Sequence, residues 1–146
     1  MKKQKIGCLL IILFVIIIMS ACSLQENNTQ GEQDSGQGNR PQPPSEFRNL
    51  ENPLSSNETN IAKGKESFLT NCVSCHGENG MGDGVLSGSL DPKPVPFPLE
   101  SVEDAYIYWR ISEGGMREPF ISVMPAWKTI ISEEQIWQIV HYLRSL

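Results

Sequence analysis

Fourteen consecutive residues, 6–19, carry no charge and hold a large share of the apolar side chains of this chain. What remains is too poor in apolar residues to build a large core. The run follows Met1-Lys-Lys-Gln-Lys5 and is closed by the small residues Ser20 and Ala21. A basic start, a short apolar stretch and a small-residue end read as a secretory signal peptide over residues 1–21. The 146 residues therefore leave room for one domain, and a multidomain enzyme is excluded.

Met19-Ser20-Ala21-Cys22 resembles the lipobox of bacterial lipoproteins, which implies that Cys22 is diacylated and becomes the new N-terminus. The competing reading is an uncleaved anchor from residue 6 to about residue 24, near the lower limit for crossing a bilayer. Either way the protein is expected on the outer face of a bacterial cytoplasmic membrane. Each buried methylene of an acyl chain contributes about 0.8 kcal/mol, so two or three chains give stable attachment. Cys8 lies in the discarded part. Without residues 1–21 the chain has nine Lys and Arg against seventeen Asp and Glu, a formal charge of −8, so nucleic acid is not an expected partner. Residues 22–57, rich in Gln, Asn, Ser, Gly and Pro, read as a lipidated, flexible linker whose Asn52-Pro53-Leu54 is placed to dock on the domain.

Residues 58–146 are expected to be all-α, with three main helices and long loops. The first, from about residue 59 to residue 71, places Ile61, Gly64, Phe68 and Leu69 on one face, and Gly64 implies a close packing contact. The second is expected from Ser101, capped with the help of Asp104, to the stop at Gly114-Gly115. The third starts at Ser132 with a Ser-x-x-Gln capping box to Gln135 and buries Ile136, Ile139, Val140 and Leu143. Between the first two helices, Gly80-Met-Gly-Asp-Gly84 and the proline-rich run 91–98 force irregular structure. Three short helices make a meagre core for 89 residues, so something else has to fill the middle.

Cys72-Val-Ser-Cys75-His76 meets that need, because Cys-x-x-Cys-His is the attachment sequence of haem c. Two thiols three residues apart at a helix end can bond both vinyl groups of one porphyrin, with the adjacent imidazole under the iron. Three alternatives exist. A redox dithiol would want a βαβ context, which is missing. A disulfide from Cys72 to Cys75 would close too small a loop to stabilise much. Zinc would need Cys72, Cys75, His76 and His141, but adjacent Cys75 and His76 suit tetrahedral ligation poorly.

The sixth iron ligand has four candidates: Met81, Met116, Met124 and His141. Met81 follows His76 too closely to cross the porphyrin. Met124, before Pro125 and in the loop between the second and third helices, has enough chain to reach the distal face and is the expected ligand. Met116 is the alternative in the same loop, and His141 reads as a partly exposed surface residue.

Gly64-x-x-x-Phe68, Cys72-x-x-Cys75-His76-Gly77, Met124-Pro125 and a last helix with Trp137 and Tyr142 resemble a class I cytochrome c of the monohaem, membrane-anchored bacterial type. The resemblance implies one covalent haem ligated by His76 and Met124. It also implies a crossing of the first and last helices near Gly64, packed by Tyr142 or a neighbour, and a bond from His76 Nδ1 to a carbonyl such as that of Pro94. Arg110, on an exposed helix face, and Trp127 are candidate donors to the haem propionates.

An iron with imidazole and thioether on both axial positions passes one electron and does little other chemistry. The expected function is a respiratory electron carrier between a quinol-oxidising complex and a terminal oxidase or reductase. The alternative is a fixed monohaem subunit of a larger complex, such as one like alternative complex III or an oxidase. A haem enzyme or gas sensor with a labile sixth ligand is the reading from another class. No catalytic acid pair is visible.

Overall fold

Asn57, in extended conformation, accepts a hydrogen bond from the backbone N–H of Asn60 at 2.9 Å and starts α1, Glu58–Asn71. That contact satisfies one of the amide groups a helix start leaves bare. The computed structural model describes residues 40–97, 101–117 and 120–146, with no side-chain description for 117–121. The expected signal peptide, Cys22 and residues 22–39 of the expected linker lie outside the described residues. Among the described residues no helix is long and apolar enough to cross a membrane.

Cys72 ends α1, its N–H bonded to the Phe68 carbonyl at 2.8 Å, and the chain turns at once into the single turn α2, Val73–His76. A long irregular segment follows and folds back on α2. Gly82 N–H donates to the His76 carbonyl at 2.8 Å, Leu86 N–H to Ser74 at 2.9 Å, and Phe97 N–H to Gly80 at 2.7 Å.

The next helix, α3, is Asp104–Glu113 and begins three residues later than expected from Ser101. Its first residues are claimed from outside: Arg144 Nε meets Asp104 Oδ1 at 2.7 Å, and the same guanidinium donates to the Val102 carbonyl. Val102 is thereby buried as a leading segment rather than a helical turn. Gly114 ends α3 with φ of 71°, a conformation that costs glycine nothing. A two-residue antiparallel ladder, β1 at Met116–Arg117 and β2 at Phe120–Ile121, folds the loop into a hairpin.

The last helix, α4, is Glu133–Arg144 and carries the expected capping box, with Ser132 accepting from Gln135 N–H and Gln135 accepting from Ser132 N–H. It is the centre of the fold. Ile136, Ile139, Val140 and Leu143 are buried as expected, and so are Trp137, Tyr142 and His141. The burial on almost every side has a simple cause: α1 crosses one face, α3 packs on a second, and residues 40–57 cover a third. This N-terminal strap belongs to the same compact unit as the helices. Phe47 and Leu54 pack against the core, and Asn52 Nδ2 donates to the Trp137 carbonyl at 3.1 Å. His141 Nε2–H donates to the Leu54 carbonyl at 3.0 Å, so the histidine expected at the surface is enclosed by the strap. Tyr108 of α3 stacks on Trp137, with ring centroids 4.2 Å apart.

Candidate functional site

The break between α1 and α2 brings Cys72, Cys75 and His76 together. Cys72 caps one helix while Cys75 and His76 lie on the single turn of the next, so all three are fixed by local backbone bonds. His76 N–H donates to the Cys72 carbonyl at 2.9 Å and Cys75 N–H to the same oxygen at 3.2 Å. Both thiols are half-buried and free, so the disulfide alternative is not formed. Burial, and then the charge of Cys75, pushes the Cys72 thiol up to about 12. That is the reverse of the lowered thiol a redox dithiol needs.

His76 sits between Phe68 and Phe97, with ring centroids 6.4 Å and 5.4 Å away. Burial lowers its pKa and keeps the imidazole neutral, the form that binds a metal. Its Nδ1 is buried and has no hydrogen-bond partner among the described residues. The expected bond to Pro94 is therefore not made. The Pro94 carbonyl instead lies against Gly82, 2.4 Å from where a Cβ there would stand.

The four candidate sixth ligands are placed very differently. Met81 is 54% exposed and Met116 72% exposed. His141 is held by the strap at Leu54, away from the cysteine pair in the contacts it makes. Met124 is half-buried against the core cluster. Its backbone is clamped: Gly115 N–H donates to the Met124 carbonyl at 2.9 Å, and a Cβ on Gly114 would come within 2.6 Å of that oxygen. The chain after Pro125 is secured by the 3-10 turn Trp127–Thr129, whose Lys128 pairs with Glu113 at 2.6 Å.

Of the expected propionate donors, Trp127 is half-buried against the core. Arg110 is not on an exposed face. It is half-buried, its guanidinium carbon 5.5 Å from the Trp109 ring centroid. The sequence reading missed Trp109, which is 8% exposed and whose Nε1 is buried without a partner among the described residues. Its place in an apolar helical stripe disguised a polar group that needs an acceptor.

Two unjoined thiols one turn apart, a neutral, half-buried imidazole whose Nδ1 is buried and uncommitted, and a buried indole N–H fit a covalently attached haem. The fold and the site thus define an all-α haem-binding domain. The chain belongs to the cytochrome c family, whose sequence model matches residues 61–146, more than half of its length. Membership brings covalently bound haem c as the cofactor and electron transfer as the class of function. Among solved structures the chain is similar to one described as a reducing HAO-like protein complex of Kuenenia stuttgartiensis, at 25% identity with a TM-score of 0.55. The similarity covers 73% of this chain and 50% of that one, so the chain spans about half the length of its structural neighbour.

Proposed function

We propose that the protein is a monohaem electron carrier, tethered by a lipid on Cys22 to the outer face of a bacterial membrane, that takes electrons from a quinol-oxidising donor and delivers them to a terminal oxidase or reductase. The observation that carries this reading is the contrast among the methionines: Met124 is packed and clamped, while Met81 and Met116 are exposed. Cys72 and Cys75 would hold the haem covalently, and His76 and Met124 would be the protein ligands of its iron. When bound, the haem supplies a one-electron ferric and ferrous couple, and a thioether on the iron favours the ferrous side.

The surrounding residues do the rest. Phe68 and Phe97 shield the imidazole from water, and burial keeps it neutral. The clamp at Gly114 and Gly115 holds the Met124 backbone in place, which limits rearrangement when the charge changes. Residues 58–146 carry seven bases and twelve acids, a net −5, so basic docking faces on the partners are expected.

A fixed subunit of a larger redox complex is the second reading, favoured by the similarity to a chain of the HAO-like complex. Isolation from native membranes in mild detergent tests the choice: a carrier comes away alone, and a subunit brings its complex. An enzyme or gas sensor would bind carbon monoxide readily in the ferrous state, whereas the carrier should not. Mass spectrometry of the mature N-terminus tests the anchor, which requires a diacylated Cys22 and is refuted by an intact residue 1–21 segment.

A further inference from the structure

Gly114 and Gly115 read in the sequence as the stop of a helix, yet Gly114 alone, with φ of 71°, makes that stop. Gly115 does not share the positive φ. What bars a side chain there is a neighbour: a Cβ on Gly115 would lie 1.8 Å from Ser122 Oγ and 3.0 Å from Ser122 Cβ. The backbone joins the same residues. Ser122 N–H donates to the Gly115 carbonyl at 2.9 Å, and Gly115 N–H donates to the Met124 carbonyl at 2.9 Å. Gly115 is thus paired, through its own N–H and carbonyl, with the residues on either side of Val123, whose side chain is left exposed. A third bond closes the ring, because Met124 N–H donates to Ser122 Oγ at 3.5 Å. On the other side, a Cβ on Gly114 would lie 2.6 Å from the Met124 carbonyl oxygen and 2.7 Å from that of Pro125.

Both polar backbone groups of Met124 are therefore held from within the segment 115–124, and the only side chain among the holders is the Ser122 hydroxyl. The pairs Met116 with Ile121 and Arg117 with Phe120 extend the same pairing outward. A methionine that leaves a metal either carries its backbone away or turns its side chain alone. A backbone fixed at both its N–H and its carbonyl leaves only the second route, and it keeps the thioether close enough to return. Resting on the ligation by Met124 proposed above, we infer that Ser122, seated in the space that Gly115 leaves, is a positioning residue for that ligand and sets how often its thioether leaves the iron. Two properties of this pair are needed. The hydroxyl supplies an acceptor to the Met124 N–H, and the bare Cα of residue 115 lets the hydroxyl come close enough to do so.

The test uses the full haem-bound chain in wild type, Ser122→Ala, Ser122→Thr, Gly115→Ala and Val123→Ala, with Met124→Ala as the reference for the ligand itself. Saturating imidazole replaces the thioether on ferric iron with no change of oxidation state. It captures the iron each time Met124 leaves, so the rate at which the far-red sulfur-to-iron band disappears reads that departure. Losing one hydrogen bond of ordinary strength should raise the rate about fivefold in Ser122→Ala. Gly115→Ala, which pushes Ser122 away, should raise it roughly tenfold or more. Ser122→Thr keeps the hydroxyl and should stay near the wild-type rate, as should Val123→Ala, which trims an exposed side chain of the same loop. Hydrogen exchange of the Met124 amide should quicken in Ser122→Ala while that of α4 stays slow. A wild-type rate in Ser122→Ala overturns the inference, and so does an equal acceleration in Val123→Ala. An acceleration matched by the same factor in the global folding equilibrium also overturns it, because stability and not position has then been lost. Failure of the ligation reading shows separately: a far-red band that survives Met124→Ala refutes that reading, whereas a band that needs Met124 with a rate indifferent to Ser122 refutes only the role of Ser122.

Discussion

Gly64 of α1 approaches Gln138 of α4 so closely that a Cβ on residue 64 would lie 1.9 Å from the Gln138 carbonyl oxygen. The helices cross with backbone against backbone: Gln138 makes the contact at Gly64, and Tyr142, one turn further along, packs on Phe68 of α1 with ring centroids 5.3 Å apart. Gly64→Ala gains about 1 kcal/mol of helix propensity. It also forces the helices apart, and overpacking of this kind costs about 1 to 3 kcal/mol or more. The variant should be destabilised by roughly 2 kcal/mol in denaturant unfolding of the haem-bound protein. A stabilised variant would mean that the crossing has room to spare.

The capping box of α4 gives a milder effect. Ser132→Ala removes the acceptor for Gln135 N–H, and a lost cap costs about 1 kcal/mol. The melting temperature should fall by several degrees, and no change would show that the exposed helix start is capped as well by water.

The strap should respond locally. Asn52→Ala withdraws the donor to the Trp137 carbonyl and the acceptor for Leu54 N–H, at about 1 kcal/mol for a bond of this kind. Hydrogen exchange should speed up around residues 50–54 and stay slow within α1 and α4. Uniform acceleration through all four helices would mean that the strap is inseparable from the global fold.

An alkaline limit is also built in. The Tyr142 hydroxyl donates to the Glu78 carbonyl at 3.4 Å, and burial first, then the Glu78 charge, raises its pKa. An unfolded chain releases a tyrosine proton near pH 10, while the folded chain holds this one to higher pH. Ionisation therefore favours the unfolded chain first, and stability is full below pH 10 and falls as pH rises beyond it. Tyr142→Phe should flatten part of that decline, and an unchanged alkaline limb would exclude Tyr142 as its source.

Local signals were the legible ones. Ser132 and Gln135, and the spacing of Cys72, Cys75 and His76, each state a requirement within a few residues, and the structure meets each locally; Gly64 announced a close contact without naming its partner, which lies on the last helix. What could not be read depends on distant partners. Asp104 was expected to cap α3, but forty residues later Arg144 takes its carboxylate. His141 looks like a surface residue until the strap covers it, and the strap itself has the composition of a free tether. Pro94 was the example carbonyl for His76, yet the glycine-rich loop turns it toward Gly82. Trp109 has no sequence signature at all, because what marks it is a buried N–H lacking an acceptor among the described residues.

The central claim is that Met124 closes the iron, and near-infrared absorption of the ferric protein tests it most directly. The wild type should show the weak sulfur-to-iron charge-transfer band in the far red, Met116→Ala should keep it, and Met124→Ala should lose it and bind carbon monoxide when reduced. A band that survives Met124→Ala would contradict the account, and its disappearance in Met116→Ala would name the exposed hairpin methionine as the ligand instead.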